Sequence, residues 1–269
     1  MMGASLCKSI KRHKIAIRIT GFDDNADTLE YAQKNKIIDT AHKDLYKIDH
    51  PDLVILCTPI STYPYIIEQI IKSIKKKTTL TDIGSSKGNP HLEITKKLSK
   101  TKIDYLSSHP MVGSENSGIK YSKSNMFENK IVFIIDKMSV KQSIYSDINS
   151  FWLSIGAITH DIEKKKHDDL MAKTSHISHL MSYIFMQSLP QSVIDNNLSL
   201  LLGGGIKEHV RLSKSDPTMW SDIFINNRKN IKKTIAVIEK NISKIKDIID
   251  KSEKAKLKRL LEKIQSKSI

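Results

Sequence analysis

The spacing of apolar and polar positions divides the chain into two unlike halves, with the change near residue 162. Ile15-Ala16-Ile17-Arg18-Ile19-Thr20-Gly21-Phe22 alternates apolar residues and closes on Asp23, which predicts a strand ending in an acid. Asp52-Leu53-Val54-Ile55-Leu56-Cys57-Thr58-Pro59 is a continuous apolar run stopped by proline, the pattern of a strand buried on both faces. Shorter strands are predicted over Thr79–Ile83, Ile103–Leu106 and Lys130–Asp136. Helical spacing runs from Met1 to about Lys11, from Ala26 to Lys34 and from Tyr65 to Lys75. Strands alternating with helices predict an α/β fold with a doubly wound parallel sheet over residues 1–162. In such sheets ligands bind beyond the carboxyl ends of the strands.

Residues 163–269 carry only helical patterns and predict a second, all-helical domain. Lys164 to Met186 places His176 and His179 three apart, on one helix face. Gly203-Gly204-Gly205 predicts a turn, and Asp216-Pro217 the cap and first residue of a last long helix. Ile231, Ile235, Ile238, Ile242, Ile245 and Ile249 then step by four and three, and Leu257, Leu260 and Ile264 resume the stepping. That seam wants a partner, either within its own domain or in a second copy of the chain.

Composition changes this picture little. The 269 residues suffice for two cores, and no apolar run approaches the roughly 18–20 residues that span a bilayer. Two cysteines, Cys7 and Cys57, lie far apart without metal-site spacing, so a reducing, cytoplasmic setting is expected. A net charge of +15 invites a nucleic-acid reading, but residues 226–269 hold 14 Lys/Arg against 5 Asp/Glu, most of the excess. Those lysines fill the outer positions of an amphipathic helix with no aromatic residues between them, which argues against a stacking platform for bases.

Several stretches carry chemistry. In Ser107-Ser108-His109-Pro110-Met111-Val112-Gly113-Ser114-Glu115 an imidazole follows a short apolar run and precedes a proline and a glycine. His109 on such a loop is a candidate general base, or a hydrogen-bonded loop histidine. Asp23 is placed to hold adenosine ribose hydroxyls and repel a 2′-phosphate, which favours NAD, or to cap the following helix. In Thr81-Asp82-Ile83-Gly84-Ser85-Ser86-Lys87, Ser85 is placed to orient His109, to contact nicotinamide or substrate, or to cap the next helix. Arg211 offers the forked donors that suit a carboxylate, or a surface ion pair, and Trp220 suits core or interface packing. His160, His167, His176 and His179 lack a carboxylate at the spacing of the usual zinc helix, so no metal is expected.

Taken together, Asp82–Lys87, His109–Glu115, Ser175-His176-Ile177-Ser178-His179, Gly203–Gly205 and Arg211–Trp220 resemble the prephenate dehydrogenase family of tyrosine biosynthesis, in the family's order. The family includes prephenate, arogenate and cyclohexadienyl dehydrogenases. The resemblance implies a Rossmann-type domain, a helical domain that forms a homodimer, NAD as cofactor, and oxidative decarboxylation of a small cyclohexadienol. It implies His109 at the substrate hydroxyl with Ser85 orienting it, and Arg211, His179 and Gly113 around the substrate. On the cofactor side it implies Gly3, Asp23, Thr58, Pro59 and Ser85. Ser178 stands where the family often has proline. No strand or glycine pair precedes Gly3, so the first strand and most of the dinucleotide fingerprint are expected to be missing, with about 10–15 further N-terminal residues supplying them. The alternatives left open are another NAD-dependent hydroxy-acid dehydrogenase of the same two-domain plan, and an inactive basic helical dimer that binds nucleic acid.

Overall fold

The computed structural model describes residues 1–48, 50–113, 116–191 and 204–267. Within them, every strand precedes residue 163 and every later element is helical. Helix α1 (Met2–Arg12) opens the chain, followed by β1 (Thr20–Phe22), α2 (Ala26–Lys34) and β2 (Thr40–His42). Then come β3 (Leu53–Leu56), α3 (Tyr63–Ser73), β4 (Thr78–Asp82), α4 (Asn89–Leu98) and β5 (Ile103–Tyr105). The half closes with β6 (Ser108–Pro110), β7 (Ile131–Ile135), α5 (Gln142–Ser154) and β8 (Ile158–Ile162).

β1 pairs with β2 and β3-β4-β5 form a second sheet, all parallel. In the third sheet, β7 is parallel to β8 and antiparallel to β6. The last two sheets join where the chain leaves β5: Leu106 N–H donates to Leu80 O at 3.1 Å and Ile135 N–H to Ser107 O at 3.0 Å. Helices cover both faces, as a sheet apolar on each side requires. Leu6 and Ile10 of α1 and Ile144, Ile148 and Trp152 of α5 close one face against Val132 and Ile134. Ile67 and Ile70 of α3 and Ile94 and Leu98 of α4 close the other against Leu80 and Ile103.

Three expectations change at this level. The first strand begins only at Thr20, and Ile17 is 107 % exposed, because alternation without a neighbouring backbone to pair with does not make a strand. β3 is half-buried along most of its length, not buried on both faces: it pairs only with β4 among the described strands. α1 covers both neighbouring clusters, with Ala4 and Cys7 toward β1-β2 and Leu6 toward β3. His109 lies within β6 and not on a loop, paired opposite Phe133.

The second half starts with α6 (Lys164–Met171), passes through one π-helical turn at Ala172–His176, and continues as α7 (Ile177–Ser188). Single π-helical turns inside α-helices are frequent at functional sites. α8 (Gly204–Ser213) lies along α7, with Phe185 stacked on His209 at 4.6 Å. Gly204 and Gly205 therefore open a helix and do not form a turn; Gly203, like Ser114 and Glu115, lies outside the described residues. Asp216 does cap, accepting Met219 N–H at 2.9 Å, but the helix it starts, α9 (Pro217–Asn226), lasts ten residues. The long helix is a separate one, α10 (Arg228–Asp250), followed by α11 (Lys254–Gln265). Asn227 divides α9 from α10, and its side chain is spent on neighbours in the core, not on capping α10.

Candidate active site

The loop after β4 enters the centre of the molecule, and a buried ion pair fixes it there. Asp82 takes the Lys87 ammonium at 2.7 Å, the Tyr105 hydroxyl at 2.8 Å, the Gly84 N–H at 2.9 Å and the Ser107 hydroxyl. Burial pushes the Asp82 carboxyl up, but the Lys87 charge and these donors outweigh it and hold the acid below its ordinary range. Lys87 is 1 % exposed, and burial pulls its pKa down against the pull of Asp82. Its Nζ also donates to Ser108 O at 2.8 Å, which ties the loop to the residue beside His109. Ser108 Oγ in turn accepts from Trp152 Nε1 and bonds Thr81 Oγ1, both at 3.0 Å.

His109, 7 % exposed, faces the helical half. Its Nδ1 meets His167 Nε2 at 2.8 Å, and His167 Nδ1 meets Asp168 Oδ1 at 2.9 Å. The same Asp168 Oδ1 accepts Lys87 N–H at 2.8 Å, and Asp168 O accepts Asn227 Nδ2 at 2.7 Å. Asn227 Nδ2 also lies 3.2 Å from His176 Nδ1. Burial pushes the His109 pKa well below the ordinary histidine range, and His167, Lys87 and His176 push the same way. His167 is lowered too, with Asp168 opposing, and His176 falls to about 4, again through burial. All three rings are thus neutral at pH 7.

Next outward, His179 stacks on the buried Trp220 at 3.6 Å and donates from Nδ1 to Ser175 O at 3.1 Å. Arg211 grips Glu208 with both forks, at 2.9 and 2.6 Å, on the solvent side. Hydrogen bonds and ring contacts run from His109 through His167, Asp168, Asn227 and His176 to Trp220 and His179, so the two halves of the chain share one continuous row. Gly113 is exposed after β6, and Ser85 is half-buried beside His176. The ring of His109 is held by His167.

Of the residues expected on the cofactor side, all but Ser85 lie elsewhere, at the start of α1 and past the ends of β1 and β3. Asp23 is exposed past the end of β1 and accepts Asn25 N–H at 3.0 Å. Past β3, Thr58 and Pro59 are exposed, with Thr58 Oγ1 and Pro59 O both taking the Thr62 hydroxyl. Gly3 approaches the Cys57 side chain so closely that a Cβ would sit 3.1 Å from it. No side chain caps the first turn of α1, so its N–H groups are left for an acceptor. An exposed acid after a strand and an uncapped helix start fit the adenosine ribose and phosphates of a dinucleotide. Among the described residues no group of His, Cys, Asp and Glu forms a metal site, and no helix is long and apolar enough to cross a membrane.

His167, Asp168 and Asn227 are residues of this network that motif reading passes over, and His176, though inside a matching stretch, takes no role from it. His167 is visible only as part of a histidine count, and its pairing with His109 across the two halves has no local signal.

The fold and the row of side chains at the junction define a dinucleotide-binding oxidoreductase with a helical second domain. Comparison with known proteins makes the class specific. Residues 6–160 match the nucleotide-binding domain of prephenate dehydrogenase, and residues 163–263 match its dimerization domain. The chain belongs to the prephenate dehydrogenase family. It is 26 % identical over 248 residues to the prephenate dehydrogenase of Lactococcus lactis, covering 91 % of this chain and 68 % of that one. It is 23 % identical to the cyclohexadienyl dehydrogenase of Zymomonas mobilis, over 84 % and 78 % of the two chains. Among solved structures, the prephenate dehydrogenase of Aquifex aeolicus in complex with hydroxyphenyl propionate and NAD+ superposes with a TM-score of 0.88 at 28 % identity, covering 99 % of this chain and 93 % of that one.

Proposed function

We propose that the chain catalyses NAD-dependent oxidative decarboxylation of prephenate to 4-hydroxyphenylpyruvate, with His109 as the general base. The observation that carries this reading is a buried imidazole, held neutral by its burial, at the junction of the two halves and inside the stretch that matches the family's nucleotide-binding domain. A base must be unprotonated to act, and burial keeps His109 so at pH 7. The bound dinucleotide supplies the hydride acceptor. His109 takes the proton of the substrate's ring hydroxyl, and Ser85 orients that hydroxyl. Arg211 and His179 hold the carboxylate end of the side chain, with Gly113 leaving room beside it. Arg211 is engaged with Glu208, an exposed pair that costs little to exchange for a substrate carboxylate.

Asp23 favours NAD over NADP because a carboxylate there repels a 2′-phosphate. Gly3, Thr58, Pro59 and Ser85 complete the cofactor side. We place the division of the chain at 162/163 and the homodimer contact on the helical half, where Val237, Ile242 and Ile249 leave apolar surface on α10. Both thiols are free, which suits a reducing, cytoplasmic setting.

Reduced-dinucleotide absorbance with prephenate, and separately arogenate, tests the reading. Turnover of prephenate that collapses in His109→Asn supports it. Folded protein that turns over neither substrate would sink it, and arogenate alone would move the substrate assignment.

A further inference from the structure

We infer that His167 and Asp168 act on His109 as positioning residues and as a proton store: they fix the tautomer of its ring and hold the substrate's hydroxyl proton between the two bond-breaking events. This rests on the reaction proposed above, but its first half follows from geometry alone.

Asp168 Oδ1 accepts the Lys87 N–H at 2.8 Å, and a carboxylate oxygen offers lone pairs only. His167 Nδ1, 2.9 Å away, must therefore be the donor of its bond. A neutral His167 protonated at Nδ1 has its lone pair on Nε2. The 2.8 Å contact from that Nε2 to His109 Nδ1 then needs His109 to donate. His109 is thus protonated at Nδ1, and its Nε2 carries the lone pair a base requires. A carboxylate that sets a ring's tautomer through a hydrogen bond is a recurrent device; here a second imidazole transmits it across the boundary between the two halves of the chain. The anchor is firm, because Asn227 Nδ2 holds the Asp168 carbonyl at 2.7 Å.

The reaction gives the second half. The carbinol C–H bond breaks, and its electron pair leaves as hydride to the oxidised dinucleotide. The O–H proton goes to His109 Nε2 and the ring oxygen becomes a carbonyl. The C–C bond to the carboxylate then breaks and releases CO2. Its electron pair makes the ring aromatic and pushes the carbonyl electrons onto oxygen, which takes a proton to become the phenol. No proton is gained or lost overall, so the one removed first is the one needed last. It cannot rest comfortably on His109, which is buried and faces Lys87 on the loop after β4 and His176 on the π-helical turn. Passing the Nδ1 proton to His167 Nε2 moves the charge beside the Asp168 carboxylate on α6. Phe133 stands edge-on to His167 at 5.7 Å and shields that side from water. Lys87 opposes a charge on His167 as it does on His109, but Asp82 favours it, and the Asp168 carboxylate is in direct contact with His167 alone of the two rings.

Nitrogen-15 imidazole NMR on the unmutated full chain reads the tautomer without ligand. A His109 protonated at Nδ1, with His167 also protonated at Nδ1, supports the assignment; a His109 protonated at Nε2 overturns it. Kinetics test the store. His167→Gln keeps an acceptor for Nδ1–H but cannot take a proton, and Asp168→Asn removes the charge that stabilises it. Each is expected to lower kcat roughly 10- to 100-fold, less than loss of the base itself, with KM within about twofold. Each is also expected to move the acid limb of kcat/KM to lower pH by about one unit, because the first removes the ring that shares the proton and the second the carboxylate that stabilises it. Wild-type kcat and an unmoved limb in both variants, with His109→Asn inactive, would overturn the store. Failure of the reaction itself looks different: the wild type turns over neither cyclohexadienol, while the NMR tautomer still reads as predicted.

Discussion

Replacing Asp82 with asparagine should be the most damaging near-isosteric change in the nucleotide-binding half. The substitution preserves shape but leaves Lys87, 1 % exposed, with Ser108 O as its remaining acceptor. Removing one partner of a buried pair typically costs about 3–5 kcal/mol. The structure supplies a ceiling, because the stranded ammonium can shed its proton. A lysine with an ordinary pKa of about 10.4 becomes neutral at pH 7 at a cost of about 4.6 kcal/mol. The deficit of Asp82→Asn should therefore lie at about 3–4.6 kcal/mol at pH 7 and lower Tm by roughly 6–18 °C. It should also shrink as pH rises. The unfolded chain binds the Lys87 proton and the variant's folded state does not, so stability grows by about 1.4 kcal/mol per pH unit up to the unfolded pKa. Urea unfolding of the wild type and the variant at pH 7 and pH 9 measures both effects. Asp82→Asn combined with Lys87→Met should be more stable than Asp82→Asn alone. A deficit below about 1 kcal/mol, or one that is the same at both pH values, would refute the argument from a stranded charge.

Other consequences are as direct. His91 and His176 both titrate near 4 in the folded chain, through burial, against about 6.5 unfolded. Since the unfolded state then binds more protons, stability should fall by about 1.4 kcal/mol per pH unit for each between pH 6.5 and 4, and denaturation midpoints across that window check it. Gly88→Ala places a Cβ 2.8 Å from the Asn226 carbonyl, where loop and helical half meet, and backbone can yield there only by separating them. A loss of about 1–3 kcal/mol with reduced turnover is expected, and unchanged unfolding would contradict it. Asp23→Ser should raise kcat/KM for NADP relative to NAD by roughly five- to tenfold, the scale of one charge repulsion near a surface; an unchanged ratio would remove Asp23 from cofactor choice.

Much of this architecture is local and therefore readable along the chain. Asn25 caps α2 through Thr28 N–H, and Asp216 with Pro217 starts α9, because caps need only residues two or three apart. The division near residue 162 follows from a change of hydrophobic period, which each segment carries by itself. The His109 stretch is also legible, but only as a motif. Its conformation is not, because a proline-flanked histidine becomes part of β6 only when β7 pairs with it. Likewise the alternation at Ile15–Ile19 yields no strand without a neighbour, and the heptad stripe does not reveal that Asn227 interrupts the helix before it. The relay is the clearest case. His109, His167, Asp168, Lys87 and Asn227 come from four separate elements, and nothing in the spacing of these residues pairs an imidazole with another 58 positions away. Sequence alone determined which side chains were available and which local turns held them. The tertiary structure decided which ring faces which, how deeply each is buried, and hence which proton each can carry, because those depend on distance and dielectric, not on order along the chain.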